Sequence, residues 1–190
     1  ETGMRACLGL ILIDFATAYA QTPDDYFEKG LKLHDSLRHD PLLSTAFAPH
    51  APYSVSDGPL ARIRTVNNEL NLPVHMHVHE TAHEVGEAMA KTGKRPLARL
   101  DALDLLGPTL MAVHMTQLKD DEITRLAEAG ASVVHCPESN LKLASGFCPV
   151  QALLTAGVNV ALGTDGAASN NDLDLLDEMR VAALLAKAVS

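Results

Sequence analysis

The stretch PVHMHVH (residues 73–79) decides how this chain is expected to fold. Apolar and polar side chains alternate along it, which is typical of a β-strand whose two faces differ. An amphipathic helical pattern follows almost at once, at 82–92. A strand followed directly by a helix predicts one unit of an α/β protein.

The same alternation of strand and helix extends from this unit in both directions along the chain. We expect six strands, at 5–14, 43–48, 73–79, 109–115, 131–136 and 158–163. We expect helices at 24–39, 60–71, 82–92, 97–106, 119–129, 149–156 and 172–188. Strands that are separated by helices pair in parallel, with right-handed crossovers. The sequence therefore predicts the α/β class, with parallel strands and helices outside.

Ionisable residues follow the ends of five predicted strands. They are His50, the stretch 77–80, His114, His135 and Asp165. A (β/α)8 TIM barrel gathers its active site at the carboxyl ends of all its strands, whereas a doubly wound sheet places it at one switch point. Five polar strand ends favour the barrel. A full barrel needs eight strands and about 250 residues, so six strands in 190 residues predict a partial barrel.

The composition excludes several classes of protein. The 190 residues are 47% hydrophobic and 21% charged, which is enough for a core and excludes a disordered chain. A net charge of −9 argues against nucleic acid as a partner. Three cysteines without ligand-like spacing (Cys7, Cys136 and Cys148) favour a reducing compartment. The stretch 7–13, the longest apolar run, is far shorter than the roughly 20 residues of a membrane span, and no signal peptide is evident. We therefore expect a cytoplasmic protein without a membrane partner.

Three histidines on one predicted strand are the strongest chemical signal. His75, His77 and His79 alternate along the strand, so they are expected to share its inward face. Imidazole is a common zinc ligand, and we favour a metal site over three histidines that only form hydrogen bonds in a polar barrel mouth. Glu80 follows at the strand end, where it either serves as a general acid/base or begins the next helix.

Three later stretches carry weaker signals. His114 ends the next strand, and a single histidine there is more often a residue of the core edge. Asp165 stands between glycines after the last strand, where it is either a metal ligand that also moves protons or a turn residue. We interpret 135–143 as a loop in the wall of the site. Cys136 is disfavoured as a metal ligand, because no second cysteine lies at ligand spacing. It is also disfavoured as a nucleophile, because nothing in the sequence favours that role over plain packing.

Together these stretches resemble the amidohydrolase superfamily. The matching pieces are His77-x-x-Glu80, His114 and Thr164-Asp165. Within the superfamily the chain most resembles the branch of 5′-methylthioadenosine/S-adenosylhomocysteine deaminases, which is grouped with triazine-hydrolase-like enzymes. The branch-level matches are APHAPY (48–53), HCPESNLKL (135–143), Gly146, Pro149-Val150 and GTDGAASNN (163–171). The order and spacing of these pieces extend over essentially the whole chain.

The resemblance implies a role for each matched residue. His77, from the fifth barrel strand, and Asp165, from the eighth, become ligands of one divalent metal ion. Zinc is the first choice for this ion, with iron or manganese as alternatives. Glu80 becomes the proton shuttle and a substrate contact, and Asp165 also moves a proton. His114 holds the attacking hydroxide or the tetrahedral intermediate, and His50 contacts the nucleoside part of the substrate.

The reaction that the resemblance implies is hydrolytic deamination of an adenine nucleoside to its inosine analogue and ammonia. The substrate would be 5′-methylthioadenosine, S-adenosylhomocysteine or adenosine. Two alternatives stay open. One is another hydrolase with the same kind of site, which dechlorinates a chlorotriazine or deaminates guanine, pterin or cytosine. The other is a non-catalytic barrel relative that binds or scaffolds. We expect a small-molecule nucleoside as partner, and a homo-oligomer for the complete protein.

The resemblance also implies missing parts. The family's first strand carries a His-x-His pair that supplies two further ligands, and this chain has no such pair. His75-Met76-His77 is a different feature, because Glu80 follows His77 by three residues; His75 and His79 then belong to the site's wall or support. We expect 1–190 to be a single catalytic-barrel fragment, family strands three to eight, truncated at both ends. It would lack the first two barrel strands and the β-sandwich domain. With two of four ligands, it should bind metal weakly and show no turnover.

Overall fold

A computed structural model describes residues 3–189 of the chain. These residues form two compact units, unit 1 up to Met76 and unit 2 from His77 onward. The third strand crosses this boundary, so its first residues belong to unit 1 and its last residues to unit 2. Each unit is an alternation of strands and helices.

The elements have the following bounds. Unit 1 contains β1 (Ala6–Leu12), α1 (Pro23–Leu37), β2 (Leu43–Pro49), α2 (Asp57–Leu70) and the start of β3 (Val74–Val78). Unit 2 contains the end of β3, then α3 (Ala82–Thr92), α4 (Pro96–Ala102), β4 (Leu110–His114), α5 (Asp120–Ala129), β5 (Ser132–His135), α6 (Pro137–Lys142), α7 (Val150–Thr155), β6 (Asn159–Leu162) and α8 (Leu175–Val189).

The strands of unit 1 pair in parallel and in chain order. β1 pairs with β2 over its whole length, and Phe47 of β2 lies opposite Val74 at the start of β3. Helix α1 begins at a capping box, in which the Thr22 hydroxyl accepts a hydrogen bond from the Asp25 N–H and the Asp25 carboxylate accepts one from the Thr22 N–H. Gly30 lets α1 approach the sheet closely, because a Cβ at this position would lie 3.3 Å from the Leu10 Cβ.

The strands of unit 2 also pair in parallel and in chain order. β4 pairs in parallel with β5, and β5 with β6. The end of β3 is joined to the residue after β4, since the Met115 N–H donates to the Val78 carbonyl over 3.2 Å. The core beneath the strand ends is apolar and includes Leu100, Ala112, Leu126, Val133 and Leu153, each fully buried. Parallel strands in chain order bring their carboxyl ends to the same edge.

Within residues 3–189 the predicted α/β class with six parallel strands is confirmed, and the architecture is that of a partial (β/α)8 barrel. The interpretation of 135–143 as a loop was wrong, because this stretch contains helix α6. Pro137 suits the first helical position, since it has no N–H to leave unbonded. The Asn140 N–H donates to the Cys136 carbonyl over 3.0 Å, which closes the first turn.

The expectation that His79 shares a face with His77 was also wrong. β3 ends at Val78, and His79 adopts a left-handed backbone conformation with φ of 54°. The alternation of the strand therefore stops one residue before His79, and its side chain leaves the strand in another direction. Among the helices in 3–189, none combines the length and the apolar character that crossing a membrane requires.

Candidate functional site

Three predicted site residues meet in unit 2, and we call His77, His114 and Asp165 the ligand cluster. Nδ1 of His77 lies 3.0 Å from Nε2 of His114, and the two rings stack with their centroids 5.1 Å apart. Nε2 of His114 lies 3.9 Å from Oδ2 of Asp165. One potential ligand atom from each residue lies within 4.8 Å of the other two. Two imidazoles and a carboxylate are a donor set that suits zinc and other divalent transition metals.

The backbone holds two members of the ligand cluster in uncommon conformations. His114 is the last residue of β4 and has φ of 75°, and Asp165 follows β6 with φ of 59°. Positive φ is uncommon for residues other than glycine, and such strain concentrates at sites where surrounding structure imposes it. His114 is at the end of its strand and Asp165 lies three residues after the end of β6, so each left-handed residue redirects the chain where its side chain enters the cluster.

Asp165 is held as an ionised carboxylate. Its Oδ2 accepts hydrogen bonds from the hydroxyls of Ser139 and Ser169, over 2.7 and 2.6 Å. Burial alone would raise the pKa of Asp165, but these two hydroxyls, the Gly166 N–H and nearby His114 outweigh burial and lower it. A carboxylate with a lowered pKa is available as a metal ligand at neutral pH.

His114 is 1% exposed and is bonded on both sides of its ring. Its Nδ1 lies 2.9 Å from the side-chain oxygen Oδ1 of Asn140, while its Nε2 faces His77. Ser139 and Asn140 are consecutive residues of α6, and each bonds a different member of the ligand cluster. The helix that replaces the predicted loop is therefore the element that organises the cluster.

Glu80 lies beside the ligand cluster, with its Oε2 3.9 Å from Nε2 of His114. Its backbone is held from both sides, because its N–H donates to the Glu84 carboxylate over 2.7 Å and its carbonyl accepts from the Thr116 hydroxyl over 2.6 Å. Burial raises the pKa of Glu84, although the N–H groups of Glu80, His79 and Thr81 oppose that rise. The side chain of Glu80 is 18% exposed, so it borders the cluster and is also reached by solvent.

His79 belongs to a second set of side chains, which with Arg95, Leu97 and Glu122 we call the support network. Nε2 of His79 accepts a hydrogen bond from the Leu97 N–H over 3.1 Å. Arg95 donates through two nitrogens to the Glu122 carboxylate, over 2.7 and 2.8 Å. Burial, and next in the same direction the Arg95 charge, lower the pKa of His79 to about 4, against opposing effects of Glu122 and a backbone carbonyl. His79 is thus a neutral structural histidine.

Two further residues of the predicted site stretches are buried and neutral. Burial and nearby His114 lower the pKa of His135 to about 4, and its Nδ1 has no hydrogen-bond partner within 3–189. Burial raises the pKa of Cys136 to about 12. A thiol with such a pKa carries almost no thiolate at neutral pH, so Cys136 is not placed to act as a nucleophile.

His50 lies in unit 1, directly after β2. Its Nδ1 lies 2.8 Å from the Ser54 hydroxyl, and its ring meets the Tyr53 ring edge to face with centroids 5.8 Å apart. The predicted contact of His50 with substrate stays a prediction. His75, also in unit 1, is half-buried on β3.

Sequence reasoning did not assign roles to the residues that orient the site. Ser139 and Asn140 lie within 135–143, and Ser169 lies within 163–171, so the stretches had been singled out but not these side chains. Glu84 and Thr116 gave no signal, because an acid on a helix and a hydroxyl after a strand are common. Their roles depend on contacts between distant segments.

Comparisons with known proteins identify the family of the chain. The sequence profile described as "Amidohydrolase family" matches residues 1–190. A protein of Teredinibacter turnerae named 5-methylthioadenosine/S-adenosylhomocysteine deaminase is 55% identical over 190 residues, which are 100% of this chain and 43% of that protein. A protein of Saccharophagus degradans with the same name is 54% identical, with the same coverage. The chain thus spans about 43% of the length of these relatives.

Solved structures give a consistent result. The crystal structure of an adenosine deaminase from Xanthomonas campestris with bound zinc is 60% identical in sequence, with a TM-score of 0.95 over 97% of this chain and 42% of that one. An atrazine chlorohydrolase from Arthrobacter aurescens has a TM-score of 0.87 over 96% of this chain and 42% of that one. At 23% identity, the second likeness concerns the fold alone.

Proposed function

Because this chain belongs to the amidohydrolase family, we propose that it forms part of the active site of an enzyme that hydrolytically deaminates adenine nucleosides. The observation that carries the proposal is the ligand cluster with Glu80 beside it: two imidazoles, a carboxylate and a potential proton carrier. The names of relatives at 55% and 54% identity support 5′-methylthioadenosine or S-adenosylhomocysteine as the substrate. The solved structure that is 60% identical is described as an adenosine deaminase, which supports adenosine as a third candidate substrate.

The donor set of the ligand cluster fits a divalent metal ion, and we infer that His77 and Asp165 are ligands of it. Zinc is the first choice, since the Xanthomonas campestris structure contains zinc; iron and manganese also suit imidazole and carboxylate. When bound, such an ion lowers the pKa of a water molecule and so makes a nucleophile available at neutral pH. The lowered pKa of Asp165 supports its role as a metal ligand, because ligating carboxylates must be deprotonated.

Glu80 and Asp165 are the proton carriers in this proposal. The water oxygen forms a bond to C6 of the adenine ring, and Glu80 takes one water proton and delivers it to ring N1. Asp165 carries the second proton to the amino group, the C6–N6 bond breaks, and ammonia leaves with both electrons of that bond. The product is the hypoxanthine ring. Contacts from Glu84 and Thr116 to the backbone of Glu80 limit its movement during both transfers.

His114 and His50 have supporting roles in the proposal. His114 holds the attacking water, since its Nε2 lies 3.9 Å from a carboxylate oxygen of both Glu80 and Asp165. His50 contacts the nucleoside part of the substrate. We further infer that 1–190 is one catalytic-barrel piece of a longer protein, which acts as a homo-oligomer in the cytoplasm and receives two more ligands from a His-x-His pair.

The test is ammonia release by the protein that the complete reading frame encodes. We expect release from 5′-methylthioadenosine, S-adenosylhomocysteine or adenosine, and none from guanine, cytosine or a pterin. Chloride release from a chlorotriazine, without ammonia release from any nucleoside, would contradict the proposal and favour the alternative, a hydrolase that dechlorinates chlorotriazines. Absence of turnover on all of these substrates with metal bound would favour the non-catalytic relative. The isolated 190-residue chain serves as comparison, and we expect weak zinc binding and no turnover from it.

A further inference from the structure

Helix α8 packs against α6 and β6, and the residue that it buries is an acid. Of its described residues, only Glu178 is buried, whereas Leu175, Leu176 and Met179 are exposed. A helix usually buries its apolar side chains, and burying a carboxylate costs free energy unless its oxygens are bonded. Burial accordingly raises the pKa of Glu178. A reason for placing an acid here has to come from the groups that it bonds.

Glu178 joins two segments that are far apart in the chain. Its Oε2 accepts a hydrogen bond from the Glu138 N–H over 3.2 Å, and its Oε1 accepts one from Nδ2 of Asn170 over 2.8 Å. Glu138 is the second residue of α6, so its N–H has no partner inside that helix. The Oδ1 of Asn170 accepts from the N–H groups of Asp172 and Leu173, which turns its NH2 group toward Glu178.

Each of these two segments carries a serine that bonds Asp165. Ser139 directly follows Glu138, and Ser169 directly precedes Asn170. Both serines are buried, and both hydroxyls donate to Oδ2 of Asp165, over 2.7 and 2.6 Å. The carboxylate on α8 thus holds the neighbour of each serine, and both routes end on the same oxygen atom. A shift of either segment would move a hydroxyl away from that atom.

We propose that Glu178 is a positioning residue, which orients the Asp165 carboxylate for reaction by holding the two serine-bearing segments in place. The inference rests on the proposed function, in which Asp165 carries a proton to the leaving amino group. Loss of groups that orient a ligating carboxylate typically costs about 10–100-fold in activity. Because Asp165 acts on substrate that is already bound, Glu178 should affect kcat rather than KM.

The first experiment measures kcat and KM for ammonia release by the protein that the complete reading frame encodes, with zinc in excess. Glu178→Gln keeps the size of the side chain, but its NH2 group must face one of the two N–H donors, so one contact is lost. We expect kcat to fall by about 10-fold or more and KM to stay within about twofold. Asp177→Asn is the matched control, because it removes the same charge at the adjacent position, where the side chain is 45% exposed; its kcat should not change.

A mutant cycle tests whether Glu178 acts through the two serines. Ser139→Ala combined with Ser169→Ala should lower kcat at least as much as Glu178→Gln, because it removes both hydroxyls directly. Adding Glu178→Gln to this pair should lower kcat by less than about twofold more, since no hydroxyl is left to position. Effects that multiply, as independent ones do, overturn the inference. So does a kcat of Glu178→Gln that lies within about twofold of wild type.

Asn170→Asp breaks the same contact from the other side, and it keeps the inference testable if Glu178→Gln does not fold. A carboxylate at this position accepts hydrogen bonds but cannot donate to Glu178, so we expect the same loss of kcat and the same dependence on the serines. Combining Asn170→Asp with Glu178→Gln exchanges donor and acceptor and restores the bond. Glu138, whose Oε2 also accepts from Asn170 over 3.2 Å, is half-exposed and can turn to solvent. The combined variant should be faster than either single one, and a kcat no higher than theirs counts against the inference.

Hydrogen exchange separates this inference from the proposed function. It is followed by mass spectrometry on the complete protein without metal. Glu178→Gln should speed backbone exchange in 169–173, where two N–H groups bond Asn170, and leave 43–49 in unit 1 unchanged. Such a result in a protein that releases no ammonia from any nucleoside supports the holding of the segments and contradicts the proposed function. Unchanged exchange in 169–173, or faster exchange in 43–49 as well, overturns the inference.

Discussion

His77 and His79 lie two residues apart, yet their surroundings are opposite. His77 contributes to the ligand cluster, where Asp165 and the adjoining Glu80 are about one-fifth exposed. His79 has no exposed surface and sits in the support network, where a backbone N–H bonds its Nε2 and burial lowers its pKa to about 4. The difference teaches that a histidine's partners, rather than its place in a motif, decide whether it is available for chemistry.

The ligand cluster and the support network are expected to have different roles. The ligand cluster brings together groups that keep lone pairs or charge facing a common space, which costs stability unless a ligand is bound. The support network satisfies its polar atoms internally and anchors the chain at His79, one residue before Glu80. Substitutions in the first should therefore change binding and turnover, whereas substitutions in the second should change folding stability.

The largest expected effect is that of Glu80→Gln on turnover. In the complete enzyme this change should lower kcat by about 10²–10⁴-fold, because the amide cannot carry a proton. Zinc content should stay at the wild-type level. The measurement is ammonia release together with metal analysis of the purified protein. Glu87→Gln is the matched control, since Glu87 is an exposed residue of α3 paired with Lys91. Near-normal turnover in Glu80→Gln would contradict the proposed proton carrier.

The next effect is that of His77→Gln on zinc affinity. Loss of a ligand should weaken zinc binding to the chain by about 100-fold or more, beyond the 10–100-fold that is typical for groups that only orient ligands. The free energy of unfolding without metal should change by less than about 1 kcal/mol, because the side chain is only half-buried. Isothermal titration and chemical denaturation measure the two quantities. Unchanged affinity would remove His77 from the metal site.

The opposite pattern is expected for His79→Ala. It leaves a cavity and removes the acceptor of the Leu97 N–H, so the free energy of unfolding should fall by about 2–4 kcal/mol. Zinc affinity of the folded variant should stay within about threefold of wild type. Denaturant titration provides the measurement, with His83→Ala as control, because the side chain of His83 is 84% exposed. A variant that loses zinc but not stability would show that the two sets are not separate.

The smallest effect is on the pH dependence of stability. The pKa of His79 is about 4 in the folded chain and about 6.5 in an unfolded one, so acid protonates the unfolded chain first. Its contribution to stability is complete above pH 6.5 and is lost as the pH falls toward 4. The slope of unfolding free energy against pH is proportional to the number of protons that the chain takes up when it unfolds. His79→Gln should reduce this number by about one in the window between pH 4 and 6.5. An unchanged slope in His79→Gln would contradict the buried, neutral state of His79.

Much of the fold could be predicted because it depends on local patterns. The alternation in 73–79 and the helical pattern in 82–92 identified β3 and α3 to within one residue. The stretch 137–142 could not be predicted as a helix by periodicity, because six residues are too short for a helical pattern to repeat. His79 was misplaced for a related reason: one left-handed residue ends the alternation without any glycine to signal it.

The candidate site divides in the same way. His77, Glu80, His114 and Asp165 could be selected from the sequence, because each lies in or shortly after a recognisable strand, at a spacing that resembles a known family. Ser139, Asn140, Ser169, Glu84 and Thr116 could not be assigned roles. Each acts through a hydrogen bond to a side chain or backbone group that only folding brings near it, as Ser139 does across 26 residues to Asp165.

The sequence by itself determined the α/β class, the number and order of the strands, and the four side chains that meet in the ligand cluster and beside it. The class and the strand order follow from hydrophobic periodicity and from the pairing of strands that helices separate. The four side chains were selected by combining their places at the strand ends with the resemblance to the amidohydrolase superfamily. The tertiary structure alone decided which atoms face that common space, through the turn of the chain at His79, the helix α6 and the contact of Asn140 with His114. The direction of a hydrogen bond depends on distances of a few tenths of an ångström between segments far apart in the chain, and no local pattern encodes those distances.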